Sequence, residues 1–138
     1  MLPIAPLSDL RAIRVAVVDD DASVRSGISR LARSHGFVCT AFESGEMALS
    51  APEIGDADCL ILDIQLSGID GFETRDRLES LGVRLPIIFI TAHPEISSHE
   101  WQRQLKGRPC LAKPFEEDDL IDAIHRTLEI DIHSKTAS

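Results

Sequence analysis

Side chains able to bind a cation or a phosphate group follow four short apolar runs of the sequence. Asp19 and Asp20 follow "VAVV", Asp63 ends "CLILD", Thr91 ends "IIFIT" and Lys113 follows "CLA". Two carboxylates about 4 Å apart repel by roughly 4 kcal/mol at an effective dielectric constant near 20. Three carboxylates gathered in one place would therefore either raise a pKa or hold a cation.

These residue types suit a magnesium ion beside a phosphate. Mg²⁺ is a hard cation that keeps several waters while sharing carboxylates with phosphate oxygens. Thr91 can donate a hydrogen bond to a phosphoryl oxygen, and Lys113 can place a positive charge next to it. Phosphoryl transfer depends mainly on alignment and charge neutralisation, so it is the chemistry that this set of side chains favours.

Alternating strand and helix patterns predict how these side chains meet. Strands are expected at residues 13–19, 37–42, 59–63, 85–91 and 110–112, and helices at about 21–36, 44–50, 71–82, 94–106 and from 116 onward. Five strands alternating with five helices predict an α/β fold with an open, mostly parallel sheet covered on both faces. Ligands of such sheets bind beyond the carboxyl ends of the strands, where all these side chains would lie.

Helical periodicity also selects the residues that should face the sheet. The expected inward positions are Val24, Ile28, Leu31 and Ala32, then Phe72, Leu78 and Leu81, then Ile96, Trp101 and Leu105, and finally Leu120, Ile121, Ile124 and Leu128. Asp21 and Ser44 are expected to cap helices at their N-termini. Gly36 is expected to end the first helix.

Composition limits the partners and the compartment. A chain of 138 residues is one domain's worth, and its formal charge of −9 argues against nucleic-acid binding through a net positive field. No apolar run approaches the ~20 residues needed to span a membrane, and "MLPIAPLSDL" lacks the basic flank of a signal peptide. Cys39, Cys59 and Cys110 stand singly in apolar stretches, which predicts reduced thiols and a cytoplasmic protein.

Four motifs resemble those of one family. "VVDDD", "LILDIQLSGIDGFE", "IIFITAH" and "LAKPF" occur in the order and spacing of the receiver domains of bacterial response regulators, most closely the FixJ-like type. The resemblance covers residues 13 to 129. It implies a flavodoxin-like (βα)5 fold with strand order 2-1-3-4-5. The expected organisation is an N-terminal extension over 1–12, a receiver domain over 13–130 and a flexible tail over 131–138.

The resemblance implies a role for each acidic site residue. Asp63 would accept the phosphoryl group from a phosphohistidine of a sensor kinase or phosphotransfer protein. Asp20 would bind Mg²⁺ directly and Asp19 mainly through water, while Asp63 and the backbone oxygen of Gln65 complete the protein ligands. The domain would act as a signalling phosphoacceptor that catalyses only its own phosphotransfer and dephosphorylation.

Thr91 and Lys113 would act on the phosphate. The resemblance implies that Thr91 binds a phosphoryl oxygen and that Lys113 pairs with Asp63 or its phosphate. Pro114 would follow a cis peptide that helps to aim Lys113. The expected consequence of phosphorylation is a conformational switch that controls a dimer, a partner protein or an output domain, with no nucleic acid or membrane bound by this domain.

Two positions depart from the family's pattern. Ser67 stands where proline is common, so the loop after Asp63 is expected to be more mobile. Cys110 stands where many members carry the Tyr or Phe that reorients on activation, so the phosphate chemistry should survive while the path of the signal out of the domain is altered.

Two other functions remain open from the sequence. Asp19-x-Asp21-x-Ser23 resembles the nucleophile motif of haloacid-dehalogenase-type phosphatases, with Asp19 as nucleophile and Asp21 as acid. That interpretation leaves Asp63 without a role. The other alternative is a pseudo-receiver, which keeps the fold for protein contacts without being phosphorylated.

Overall fold

Within the described residues, five strands and five α-helices alternate along the chain. The structure is a computed structural model, in which residues 12–93 and 99–136 are described, with side chains up to residue 129. The strands are β1 (Arg14–Val18), β2 (Val38–Phe42), β3 (Cys59–Asp63), β4 (Ile87–Thr91) and β5 (Cys110–Ala112). The helices are α1 (Ala22–Ser34), α2 (Gly45–Ser50), α3 (Gly71–Ser80), α4 (His99–Leu105) and α5 (Glu117–Thr136).

All the strand pairs are parallel, and the strand order is β2-β1-β3-β4-β5. This order confirms the predicted fold. Strand β1 has β2 on one side and β3 on the other, so the order reverses beside β1. The carboxyl ends of the strands meet at one edge: Val18 pairs with Leu62, and Thr91 pairs with Ala112. That edge is where ligands of open α/β sheets bind.

The sheet is buried on both faces, so neighbouring residues of one strand belong to two different cores. Leu60 and Leu62 face one core together with residues of α2, α3 and α4. Ile61 faces the other core together with residues of α1 and α5, including Ile28 and Leu120. This two-sided burial explains why β3 reads as a continuous apolar run before Asp63.

Helix ends follow the signals predicted from sequence. Asp21 caps α1 by accepting a hydrogen bond from the Ser23 backbone N–H, and Ser44 caps α2 through the Met47 N–H at 3.1 Å. Gly36, after the end of α1, has a φ of +80°, a left-handed conformation that glycine adopts without strain. The predicted caps and the predicted end of α1 are therefore confirmed.

Two details of the helices differ from expectation. Leu81 was expected to face inwards but is 66% exposed, because α3 ends at Ser80 and the chain turns there. Val83 packs against the core beyond that turn. A short 3-10 helix over Pro52–Asp56, which the sequence pattern did not indicate, buries Ile54.

The last two helices are compared with their predictions over the described residues. Within the described residues, α4 begins at His99; residues 94–98, including the expected inward Ile96, lie outside them. Leu105 is buried and Trp101 packs against the core, as predicted. Helix α5 remains helical to Thr136, where a tail was expected from residue 131. The wider domain bounds, 1–12 for an extension and 13–130 for the receiver, stay a prediction.

Candidate functional site

The carboxyl edge of the sheet brings the predicted site residues together. Asp19 and Asp20 follow β1, and Asp63 is the last residue of β3. One carboxylate oxygen from each of these three residues lies within 4.8 Å of the others. Lys113 follows β5, and its ammonium reaches the same group of carboxylates. Residues distant in sequence therefore form one site because their strands are neighbours in the sheet.

The three carboxylates differ in exposure. Asp19 is fully buried, with 0% of its surface exposed, and Asp63 is 3% exposed, whereas Asp20 lies at the surface. Backbone groups hold the two buried ones: the Asp21 N–H donates to Asp19 Oδ1 at 2.9 Å, and the Gln65 N–H donates to Asp63 Oδ1 at 3.1 Å. Each buried carboxylate thus has one oxygen satisfied by the loop that follows it.

Lys113 joins the two buried carboxylates. Its Nζ lies 2.7 Å from Asp19 Oδ2 and 2.9 Å from Asp63 Oδ2. The peptide between Lys113 and Pro114 is cis, as the resemblance implied. Burial opposes the charge on Lys113, but the carboxylates of Asp19 and Asp63 outweigh it and raise the pKa of the lysine. The lysine is therefore a fixed cation at neutral pH.

The site alters the ionisation of Asp63. Burial raises the pKa of Asp63 from an ordinary 3.8 to about 6; the hydrogen bond from Lys113 lowers it, and the negative charge of Asp19 raises it. The hydrogen bond and charge of Lys113 therefore do not offset the effect of burial on this carboxyl. Added positive charge would stabilise the ionised form of Asp63.

The donor set fits a hard divalent cation. Asp19 Oδ2 is buried, and it shares the Lys113 ammonium, 2.7 Å away, with Asp63. Two buried carboxylates that share one ammonium are costly unless a further cation compensates them. Three carboxylates beside a single ammonium leave an excess of negative charge, and carboxylate oxygens are the ligands that Mg²⁺ prefers.

Thr91 lies at the strand edge that forms the site, whereas the side chain of Asp21 caps α1. Thr91, the last residue of β4, is buried, and its Oγ accepts a hydrogen bond from the His93 N–H at 3.0 Å. The Asp21 side chain bonds to Ser23, whose hydroxyl hydrogen bond lowers the pKa of that carboxyl. The structure thus keeps Asp21 in the helix cap and leaves it outside the carboxylate cluster.

The sequence did not predict the hydrogen bonds that Ser67 and Arg25 donate to residues of the site. Ser67 donates to Asp20 Oδ2 from both its backbone N–H, at 3.2 Å, and its hydroxyl, at 3.1 Å. Arg25 donates to the backbone oxygen of Asp19 at 2.8 Å. The only sequence signal for the first contact is the departure from the family's proline. The loop expected to be mobile is thus bonded to Asp20.

The fold and the site define a doubly wound α/β domain with an acidic pocket at its switch point. The family model of the response regulator receiver domain matches residues 15–125. Nodulation protein W of Bradyrhizobium diazoefficiens is 37% identical over 119 residues, which are 85% of this chain and 52% of that protein. The chain therefore belongs to the receiver domain family of response regulators, and it is a receiver domain of two-component signalling.

Solved structures agree with this assignment. A response regulator receiver protein from Burkholderia phymatum is 39% identical with a TM-score of 0.71, covering 85% of this chain and 95% of that one. FixJ-N is 28% identical with a TM-score of 0.73, covering 86% and 95%. These receiver-domain matches give no support to the phosphatase alternative. The chain spans about half the length of the first curated relatives it matches.

Proposed function

We propose that Asp63 accepts a phosphoryl group from the phosphohistidine of a sensor kinase or phosphotransfer protein. The observation that carries this proposal is that Asp63 ends the central strand β3 with one oxygen beside Lys113 and the other on the Gln65 N–H. A carboxylate oxygen of Asp63 forms the new O–P bond while the P–N bond of the donor breaks. The imidazole nitrogen leaves with the bonding electron pair and takes up a proton.

The same residues would hold the cation that this reaction needs. We assign Asp19, Asp20, Asp63 and the backbone oxygen of Gln65 as the protein ligands of Mg²⁺, which would neutralise charge on the transferring phosphoryl group. Lys113 is already within 3 Å of both buried carboxylates, at 2.7 and 2.9 Å. It would bind a phosphoryl oxygen after transfer, and the Thr91 hydroxyl would bind another.

The domain acts as a switch rather than as an enzyme with a separate substrate. Receiver domains of response regulators work with histidine kinases, and we propose that phosphorylation here controls a dimer, a partner protein or an output domain. The part of the chain that the structure describes contains no helix long and apolar enough to cross a membrane. Cys39, Cys59 and Cys110 are free thiols, and we propose a cytoplasmic location that keeps them reduced.

Phosphorylation by acetyl phosphate with Mg²⁺ tests the assignment. Intact-mass analysis should show one added phosphoryl group on the wild-type chain and none on Asp63→Asn. The matched control is Asp122→Asn, which changes an exposed carboxylate of α5 and should label like the wild type. Equal labelling of Asp63→Asn contradicts the assignment, and mapping of the label to Asp19 would support the phosphatase alternative. An unlabelled wild-type chain would support the pseudo-receiver.

A further inference from the structure

Ser67 makes the contact that most distinguishes this site from the family's sequence pattern. Both its N–H and its hydroxyl donate to Oδ2 of Asp20, which lies 47 positions away in sequence. Proline has neither donor, so a chain with the family's usual residue here could form neither bond. The substitution therefore adds two hydrogen bonds to a carboxylate of the site.

Asp20 is the carboxylate that most needs to be positioned. Asp19 and Asp63 are buried and held by backbone N–H groups, whereas Asp20 is exposed to solvent. Among the described residues, the hydrogen bonds to its side chain come from Ser67 alone, and both end on Oδ2. Its Oδ1 is thereby left for another ligand, with the carboxylate held in one orientation.

The loop that carries Ser67 is itself anchored on its far side. The Ile69 N–H donates to Glu46 of α2 at 3.3 Å, and the Gly71 N–H closes the loop on the Ile64 oxygen at 2.8 Å. Gly68 has a φ of +82° and packs so tightly on Glu46 that an added Cβ would lie 2.3 Å from its carboxylate. The place of Ser67 is thus fixed by contacts that do not involve Asp20.

From these contacts we infer that Ser67 is a positioning residue that holds Asp20 ready to bind the divalent cation. The inference rests on the proposed function, since it concerns the same Mg²⁺ site. A ligand that is held in place before binding loses less conformational freedom when the cation arrives. Ser67 thus orients the Asp20 carboxylate through hydrogen bonds, whereas a proline at this position could restrict only the loop backbone.

Four variants separate hydrogen bonding from loop stiffness. Ser67→Ala removes the hydroxyl and keeps the N–H, Ser67→Pro removes both donors while stiffening the loop, and Ser67→Thr keeps both. Ser80→Ala is the matched control, because the Ser80 hydroxyl is exposed and bonds only to the backbone of its own helix at 3.0 Å. The full chain is used in each case.

Calorimetric titration with Mg²⁺ should rank these variants. Loss of a residue that orients a metal ligand typically weakens binding by about 10–100-fold, and this exposed pair should lie at or below the lower end of that range. We expect the dissociation constant to rise about threefold for Ser67→Ala and about tenfold for Ser67→Pro. Ser67→Thr and Ser80→Ala should bind like the wild type, and all variants should keep the wild-type melting temperature without Mg²⁺ within a few degrees.

The phosphorylation rate gives a second measurement that a purely structural role would not change in the same way. The Mg²⁺ concentration for half-maximal labelling by acetyl phosphate should rise by the same factors. The rate at saturating Mg²⁺ should stay within about twofold, because the loss is one of binding. Equal Mg²⁺ affinity across the variants, tighter binding by Ser67→Ala, or tighter binding by Ser67→Pro than by Ser67→Ala would each overturn the inference.

The wild-type chain keeps this test separate from the test of the proposed function. A wild type that binds Mg²⁺ and is labelled at Asp63, with Ser67 variants that match it, defeats the Ser67 inference alone. A wild type that neither binds Mg²⁺ nor incorporates a phosphoryl group defeats the proposed function, and the inference fails with it.

Discussion

At the scale of single residues, two neighbouring aspartates have separate tasks. Asp20 lies within the carboxylate cluster, whereas the side chain of Asp21 bonds to the Ser23 N–H at 2.9 Å and begins α1. Both are exposed acids, so their exposure alone does not distinguish them. The direction of each side chain assigns Asp20 to the candidate metal site and Asp21 to the helix cap.

We expect the two positions to differ in their effect on Mg²⁺ binding. Asp20→Asn should weaken binding by at least about tenfold, because it removes the charge of a ligand, and Asp21→Asn by less than about threefold. Asp21→Ala should instead cost about 1 kcal/mol of folding free energy through loss of the cap. Calorimetric titration and urea unfolding measure the two effects. Equal loss of Mg²⁺ affinity in both Asn variants would show that Asp21 belongs to the metal site.

The raised pKa of Asp63 predicts how stability depends on pH without a divalent cation. A carboxyl with a pKa of about 6 in the folded state and 3.8 as its ordinary value binds its proton more tightly when folded. Its contribution to stability is therefore fully present below pH 3.8 and is lost as the pH rises through about 6. At neutral pH the ionised Asp63 destabilises the metal-free fold.

Replacing Asp63 by asparagine should remove that cost. Asp63→Asn should be more stable than the wild type at pH 7.5 in EDTA by about 1–2 kcal/mol, after allowance for screening by water. The difference should shrink below pH 6 as the wild-type carboxyl becomes protonated. Urea unfolding over this pH range measures it, with Asp122→Asn as an exposed control. A wild type that is more stable than Asp63→Asn at pH 7.5 in EDTA contradicts the prediction.

At the scale of secondary-structure elements, Arg75 joins α3 to α4. It is a charged residue with 0% of its surface exposed, and its guanidinium donates to both the backbone and the side-chain oxygen of Gln104, the latter at 2.9 Å. The guanidinium carbon lies 5.4 Å from the centre of the Phe72 ring and 5.8 Å from that of Phe89. These contacts satisfy a buried cation and tie the C-terminal turn of α4 to the core.

Arg75 should therefore contribute strongly to stability. Arg75→Ala should lower the free energy of unfolding by about 2–4 kcal/mol, because it opens a cavity and leaves the Gln104 oxygens without their donors. Arg77→Ala is the matched control on the same helix, since Arg77 is half exposed and pairs with Glu73 at 3.5 Å; it should cost less than about 0.5 kcal/mol. Urea unfolding measures both. A loss below about 1 kcal/mol for Arg75→Ala would show that the contacts of Arg75 with α4 contribute little to stability.

At the scale of the whole molecule, phosphorylation of Asp63 as proposed would have to alter a surface that a partner can bind. Thr91 ends β4 beside the site, and Cys110 begins the neighbouring strand β5, opposite Phe89. Cys110 is a small, half-buried side chain, and burial raises the pKa of its thiol. It lacks the volume to fill a space that Thr91 would leave on moving toward a phosphate. The switch is therefore predicted to rest on Thr91, Lys113 and residues 92–97, of which 94–97 lie outside the described residues.

Variants at the two positions should separate phosphorylation from response. Cys110→Ala should accept the phosphoryl group and keep most of any phosphorylation-dependent dimerisation or partner binding. Thr91→Ala should accept the group but lose most of that response, because its hydroxyl would contact the phosphate. Light scattering or pull-down with and without phosphodonor measures the response. A Cys110→Ala chain that is phosphorylated normally yet fails to respond would place Cys110 in the relay.

The sequence by itself determined the order of the elements and the chemical types at the site. A continuous apolar run such as 59–63 indicates a strand that is buried on both faces. A cap residue such as Asp21 acts within one turn of its own helix. Both features can therefore be inferred from local sequence patterns. The meeting of the polar residues at the ends of the four strands other than β2 then follows from the parallel sheet. Leu81 shows the limit of this reasoning, since periodicity alone did not reveal that α3 ends one residue before it.

Only the tertiary structure decided which side chains are buried and which hold the site. Asp19 and Asp20 are adjacent in sequence, yet one is buried beside Lys113 and the other is exposed and bonded to Ser67. Arg75 reads as a surface charge on a polar helix, and its burial depends on Gln104, 29 positions away. Such contacts depend on how elements distant in sequence pack together. No local period or propensity encodes that packing, because its energy arises only when the partners meet.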